Sequence, residues 1–526
     1  MTFEQIMAQE KFIPNEEQRP VMEAVCNTVV SAGAGAGKTA VLAWRFLRLV
    51  MKRGVKPEEI LTLTFTKKAA SEMRERIYGL LIKAKDSLPE DTLKSFGKAS
   101  IATLDSFCAQ IVRSGSVSYG LPRDSANLSD NDFQSMVEML SEKFLQAPEN
   151  VQESRAISAL FMPSAVMSSF FMPVAASISI TGNYEAEKVR EAFLNEIRKI
   201  YKKEREELEP MFRNLGELNL SEKFMAQYEN MFECYEKECF TDSDYFRLTG
   251  VRDPEIKEIV EEMKPIIGKG TGFVSLQNLA NGTVDVPVLQ KAVEKFANML
   301  NMEKRSQGAL TFRDVSDLAV VILRDNLYLR NVYKNRFKFI MIDEFQDNNI
   351  LQKELLFLLS EKKSLNGTSG RVPTVDELEG EKLFFVGDEK QSIYKFRGAD
   401  VSVFRKLHEE ICKNGKALTL SINYRSNEKL IRHFNNVFKH VLYDDEKDFS
   451  ARFSEMASGR GKDKTESKII FAFYKNEKPA EDEQNSDEDF DGAVLEAEAI
   501  GNYCRRILTT DEFLVDGKRP EPNDIA

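Results

Sequence analysis

The chain has 526 residues, 42% of them hydrophobic, which is enough apolar material for several packed domains at the usual roughly 100–200 residues each. Its net charge of −11 excludes a protein that coats nucleic acid by bulk attraction, so any phosphate contact must come from locally placed Lys and Arg. The longest apolar stretches, such as Leu160 to Pro173 (LFMPSAVMSSFFMP), are broken by Pro and Ser and fall short of the roughly 20 residues that cross a bilayer. The N-terminal MTFEQIMAQEKF has acids and lacks a basic start followed by an apolar core, unlike a secretory signal. A cytoplasmic protein without membrane contact is expected. Six scattered cysteines and three histidines predict reduced thiols rather than a structural metal site; the only close pair is Cys234 and Cys239.

In chain order, Val25 to Ser31 predicts a strand feeding a glycine-rich loop, and Thr39 to Met51 has helical apolar spacing. Ile60 to Phe65 (ILTLTF) predicts a buried strand, followed by a helix from Lys68 to Lys83. Alternation of this kind builds a parallel sheet covered by helices on both faces. From about Val112 to Leu310 the texture becomes helical with charged faces, as in Ala186 to Glu207. Strand patterns return at Phe337 to Ile342 (FKFIMI), Lys382 to Val386 (KLFFV) and Leu418 to Ile422 (LTLSI), so the first domain is discontinuous. Lys363 to Glu381 reads as a surface loop. Further on, Lys468 to Tyr474 predicts a strand, Glu481 to Asp491 (EDEQNSDEDFD) a solvated acidic loop, and Gly492 to Leu508 a helix. The closing residues Asn523 to Ala526 look like the beginning of a strand.

Ser31 to Thr39 (SAGAGAGKT) lies between a strand and a helix, the setting in which backbone N–H groups wrap a phosphate at a helix N-terminus. The run Ala32, Gly33, Ala34, Gly35, Ala36, Gly37, Lys38 and Thr39 is the candidate nucleotide cradle. Gly35 and Gly37 allow the turn, Lys38 reaches the β- and γ-phosphates, and Thr39 supplies a hydroxyl to magnesium. Ala32 stands where the strict pattern has Gly. Asp343 and Glu344 follow an apolar strand, at the edge where open α/β sheets hold ligands. There Asp343 would hold magnesium and Glu344 would orient or deprotonate the attacking water, tasks that need carboxylates. Gln391, after another strand, can point at the γ-phosphate region. Tyr394, Phe396 and Arg397 beside it either stack single-stranded bases or, for the aromatics, pack in the core. Thr64, Thr66 and Lys67 stand where a strand ends and a helix begins; they suit a DNA phosphate or cap the helix.

Together and in this order, these segments resemble the motifs of the UvrD/Rep-type superfamily 1 DNA helicases, over about residues 12–110 and 308–430. Superfamily members commonly carry Ala at the position of Ala32. The resemblance implies that Gln18, in FIPNEEQ, reads the adenine, and that Arg425, in Asn423 to Ser426 (NYRS), contacts the γ-phosphate. Thr103 to Phe107 (TLDSF) resembles a Thr-x-His-Ser-Phe segment with Asp105 in place of His, which leaves its DNA-contact role in doubt. Val30-Ser31-Ala32 and the run from Lys390 to Asp400 are closer to the RecB/AddA helicase–nuclease subunits than to UvrD.

The implied fold is α/β: a P-loop NTPase with a RecA-like parallel sheet flanked by helices, a large mostly helical insertion and a partial second RecA-like domain. The implied division is domain 1A over 1–110 and 308–414, insertion 1B over 111–307, and the start of domain 2A over 415–526. The implied activity is ATP hydrolysis with Mg²⁺ driving 3′-to-5′ movement on single-stranded DNA, or on duplex with a single-stranded end, in recombination or repair. A UvrD-like repair helicase and a non-catalytic ATP- or partner-binding fragment are the alternatives. A second helicase–nuclease subunit is an expected partner. Two further family motifs, one with a second arginine, are not found in the chain, which reads as cut before the motor is complete. It is therefore expected to bind ATP, turn it over poorly and not unwind DNA.

Overall fold

Strands covered on both faces are predominantly apolar, and the runs Ile60–Thr64 and Leu383–Gly387 are buried at every position. In the computed structural model the described residues are 1–161, 163–182, 186–240, 253–268, 272–282, 286–365, 370–395, 398–442, 451–459, 492–514 and 518–525. The predicted strand at Lys468 to Tyr474, the acidic run at Glu481 to Asp491, Phe396 and Arg397 lie outside them. The strands in chain order are β1 (Thr28–Ala32), β2 (Ile60–Thr64), β3 (Ser100–Thr103), β4 (Ala126–Asn127), β5 (Ala309–Leu310), β6 (Phe339–Ile342), β7 (Leu383–Gly387), β8 (Lys416–Leu420), β9 (Ile422–Asn423) and β10 (Ala457–Ser458).

The chain divides into two compact units, Met1–Leu104 with Arg330–Ala526, and Asp105–Leu329. In the first unit six strands form one sheet in the order β3-β2-β6-β7-β1-β8, with every pairing parallel. This is the α/β RecA-like architecture of a P-loop protein. The order matters for the site: β7 lies between β1, which leads into the glycine loop, and β6, which leads into Asp343 and Glu344. The chemistry expected at three distant stretches therefore emerges at three adjacent strand ends.

Helix Lys38–Arg53 packs its apolar face on this sheet, and Trp44 is held between Phe3 and Phe12, with ring centroids at 5.9 and 5.2 Å. Buried Arg45 stacks over Phe384 at 4.1 Å and donates to the carbonyls of Val21, Met22 and Ala24. Those carbonyls lie at and just beyond the C-terminal end of helix Gln18–Glu23, where a cation satisfies acceptors that have no helical partner. The helix bearing Gln18 is thereby fastened to the helix that begins with Lys38.

Three expectations change. A second domain was expected from residue 415, yet β8 pairs with β1 from Thr28↔Lys416 to Ala32↔Leu420, so the first sheet continues past that boundary. The strand expected over Leu418 to Ile422 is split at Ser421, whose N–H and hydroxyl are both taken by the Glu17 carboxylate at 2.8 and 2.5 Å. Pro522–Asp524 form a single 3₁₀ turn, with Pro at its first position, where a strand was expected to begin.

Among its described residues the second unit is helical, apart from the short β4–β5 pair. The helix expected over Ala186 to Glu207 runs to Glu217, through Pro210. One core is built from phenylalanines, with Phe171 4.7 Å from Phe296 and Phe144 within 6.1 Å of both. A fully buried ion pair, Lys304 to Asp314 at 2.8 Å, joins the helices Val286–Gln307 and Phe312–Asp325. Such a pair is tolerable because Asp314 also accepts from the N–H groups of Ile180 and Thr311 and from the Thr311 hydroxyl.

Candidate nucleotide site

After Ala32 the backbone must turn sharply, and it does so on glycines: Gly35 has φ 68° and Gly37 has φ 81°. Gly37 is the N-cap of helix Lys38–Arg53, so the first N–H groups of that helix open toward the loop. Lys38, the first helical residue, extends its ammonium to the Glu344 carboxylate at 2.7 Å and to the Gln391 amide oxygen at 3.4 Å. The predicted loop lysine, acidic residue and glutamine thus meet from three strand ends. Thr39 follows Lys38 in the first turn.

Asp343 continues from β6 and is 5% exposed, its N–H donating to the Leu63 carbonyl at 2.9 Å and its carboxylate accepting the Glu344 N–H at 3.0 Å. Burial pushes its carboxyl up to about 7, with the neighbouring Glu344 charge adding to the rise and Lys38 opposing it. Asp347 is raised to about 6 by burial and again by Glu344. Glu344 itself has φ 53°, a left-handed conformation that is uncommon for a residue with a side chain. Strain of this kind persists where surroundings over-determine the residue, and here they do. The amide of buried Gln346 donates to Glu344 at 3.0 Å and to Asp347 at 3.2 Å, while its oxygen accepts the Asp388 N–H at 2.9 Å. Asp388 in turn accepts from the Gln391 amide at 2.7 Å.

A buried carboxylate whose charge is costly, with a threonine hydroxyl at the head of the neighbouring helix, is a hard oxygen donor set that fits Mg²⁺. Mg²⁺ ordinarily takes one or two carboxylates and completes its shell with phosphate oxygens and water, so this sparse set suffices. Among the described residues, no group of three or more His, Cys, Asp or Glu is arranged to hold a metal, and all six cysteines are free thiols.

Gln18 lies against the loop: its amide donates to the Ala36 carbonyl at 3.3 Å and its oxygen accepts from the Asn15 N–H. Arg425 reaches the loop through its neighbours, because the Asn423 amide donates to the Ala34 carbonyl at 2.7 Å and the Tyr424 N–H to the Gly35 carbonyl at 2.9 Å.

The segment after β2 differs in part from expectation. Thr64 is buried and its hydroxyl donates to the Thr66 carbonyl at 3.1 Å, so that side chain braces the turn rather than facing a phosphate. The Thr66 hydroxyl caps helix Lys67–Lys83 by accepting the Ala69 N–H at 3.1 Å, and Lys67 is exposed. Tyr394 is half-buried with its ring 4.5 Å from that of Phe65. Sequence reasoning missed Phe65; its signal was an aromatic between two threonines just beyond a fully buried strand. Gln346, Asp388 and Asn423 were also missed, since each works through contacts with residues distant in the chain.

A glycine loop leading into a lysine-headed helix, an Asp-Glu pair two strands away, and a glutamine in the turn just beyond the strand between them define a RecA-like P-loop fold. The family model for the UvrD/REP helicase N-terminal domain matches residues 14–412, and the chain belongs to that family. Several curated relatives carry the name of an ATP-dependent helicase/nuclease subunit. One from Streptococcus agalactiae serotype Ia is 25% identical over 480 residues, and one from Clostridioides difficile strain 630 is 26% identical over 608 residues. These alignments cover 79% and 96% of this chain, and 38% and 46% of the respective relative. A protein of the same name from Listeria innocua serovar 6a is 26% identical over 571 residues, 94% of this chain and 45% of its own length. The chain spans less than half the length of these relatives. Among the described residues no helix is long and apolar enough to cross a membrane.

Proposed function

We propose that the chain is the ATP-binding part of a DNA helicase motor of the helicase–nuclease type, acting in the cytoplasm in recombination or repair. The observation that carries this reading is the meeting of Lys38 and Glu344 at 2.7 Å across 306 positions of sequence, with Gln391 beside them. In the proposed assignment, Ala32 through Thr39 cradle the triphosphate of ATP and Gln18 reads the adenine. Thr39 and Asp343 hold Mg²⁺, which supplies charge neutralisation at the phosphates when bound. Glu344 orients and deprotonates the attacking water, Gln391 monitors the γ-phosphate, and Arg425 offsets its developing charge. Glu344 is suited to the base role because its carboxylate is held in place by the Gln346 amide and the Lys38 ammonium, both donating to one oxygen.

The proposed substrate is single-stranded DNA, tracked 3′ to 5′, with Lys67 near the phosphates and the Phe65–Tyr394 pair offering a stacking surface. Within this reading the six-stranded sheet is domain 1A, now including β8, the helical unit is insertion 1B, and the residues after β8 begin domain 2A. A second helicase–nuclease subunit is the proposed partner.

The test is titration of Mg·ATP and of single-stranded DNA into the 526-residue chain and its Lys38→Ala variant. Tight Mg·ATP binding by the wild type that the variant loses supports the reading, and equal nucleotide affinity in the two proteins rejects it. Turnover by the chain alone is expected to be slow. Vigorous DNA-stimulated hydrolysis would show that the residues present already complete the motor.

A further inference from the structure

Residues 420–426 are fastened to the glycine loop at three points. The Gly33 N–H donates to the Leu420 carbonyl at 2.8 Å, the Asn423 amide to the Ala34 carbonyl at 2.7 Å, and the Tyr424 N–H to the Gly35 carbonyl at 2.9 Å. Asn423 is 4% exposed, and its side chain is used at both ends: the oxygen accepts the N–H groups of Arg425 and Ser426 at 2.8 and 2.9 Å. One side chain therefore holds the loop with its amide nitrogen and the backbone of Arg425 with its oxygen.

The contact also accounts for the glycine at position 35. Beyond its φ of 68°, a Cβ there would stand 2.7 Å from the Asn423 oxygen and 2.8 Å from the Arg425 Cβ. The missing side chain at position 35 is the space into which Asn423 docks. In a trans peptide the carbonyl and the next N–H point in opposite directions. Holding the Ala34 carbonyl thus aims the Gly35 N–H away from Asn423, while the Ala36 N–H is turned onto the Gly33 carbonyl at 3.2 Å.

We infer that Asn423 is a positioning residue that couples nucleotide occupancy of the loop to the placement of Arg425. The inference rests on the reading of residues 32–39 as a nucleotide cradle. Phosphate binding tightens the loop, and through the Asn423 amide it tightens the turn that carries Arg425. Residues 422–428 respond to nucleotide because of this latch.

Amide hydrogen exchange measured with and without Mg·ATPγS tests this on the whole chain. Asn423→Asp keeps the oxygen that accepts from Arg425 and Ser426 but has no amide hydrogen for Ala34. In wild type, Mg·ATPγS is expected to slow exchange roughly tenfold in both segments, 33–41 and 422–428. In Asn423→Asp, slowing at 33–41 persists and slowing at 422–428 is lost. Asn423→Ala, which removes both ends of the latch, gives the same pattern, and single-turnover cleavage of Mg·ATP falls in both variants while ATPγS affinity changes little. A nucleotide response at 422–428 in Asn423→Asp equal to wild type overturns the coupling, as does its absence in wild type when 33–41 is protected. Absence of protection at 33–41 in wild type rejects the nucleotide reading itself, and the coupling with it.

Discussion

The ammonium of Lys38 and the carboxylate of Glu344 form a 2.7 Å ion pair in which the lysine is 9% and the glutamate 31% exposed. Lys38 also opposes the rise in the Asp343 and Asp347 carboxyls that burial and Glu344 produce. One cation thus balances three carboxylates within the five residues from Asp343 to Asp347, and a triphosphate would compete with Glu344 for it. The two consequences, for binding and for hydrolysis, separate by mutation.

Glu344→Gln removes a negative charge from beside the phosphate cradle and removes the proposed base. Mg·ATP affinity is expected to hold or rise, while single-turnover hydrolysis falls by about 10²–10⁴, the usual contribution of a positioned base. Fluorescent-nucleotide titration and a quenched-flow time course read the two quantities separately. Unchanged hydrolysis would remove Glu344 from the mechanism.

Gln346→Ala is expected to cost stability as well as activity. It leaves the N–H of Asp388, a 3% exposed residue, without its 2.9 Å acceptor and frees Glu344 from one of its restraints. An unsatisfied buried donor costs about 1–3 kcal/mol. Urea unfolding should show a lower midpoint with an unchanged slope, and Gln346→Glu, which retains an acceptor but adds charge beside Glu344, should not restore activity.

A pH dependence follows from Lys382, which is buried near the charged groups of Glu379, Lys334 and Lys363 and donates to the Lys334 carbonyl at 2.8 Å. Burial lowers its ammonium from 10.5 to about 7. Between pH 7 and 10.5 the unfolded chain holds a proton that the folded chain does not, so this residue makes stability rise with pH across that window. Lys382→Met should therefore stabilise the fold most below pH 7, by an amount on the order of a few kcal/mol, and progressively less toward pH 10.5. Thermal melts at pH 6.5 and 9.5 give the comparison; an equal shift at both pH values would contradict it.

Phe65→Ala should weaken single-stranded DNA binding by about 1–3 kcal/mol, the worth of one stacked base, without altering nucleotide affinity. Tyr394→Ala should resemble it, and the double variant should lose less than the sum, since the two rings touch at 4.5 Å. Fluorescence anisotropy with a labelled oligonucleotide measures this. Strict additivity would argue that the rings act on separate bases or on none.

The glycine loop, its lysine helix and the acid pair at a strand end were legible in the linear chain because each is local. Gly-Lys-Thr after a β-branched run allows few conformations, and a largely apolar run followed directly by Asp-Glu places its acids at a sheet edge whatever the neighbours are. The helix over Gly492 to Leu508 was legible for the same reason, and is observed over Gly492–Thr509. Only the tertiary structure decided that β7 lies between β1 and β6, which is what brings Gln391 to Lys38. It alone decided that β8 belongs to the first sheet, that Phe65 meets Tyr394, and that Asn423 fills the space beside Gly35. Those outcomes depend on strand order and on pairings across hundreds of residues. Hydrophobic period and turn chemistry report only which face of an element is buried; which partner buries it is set by packing of the whole sheet.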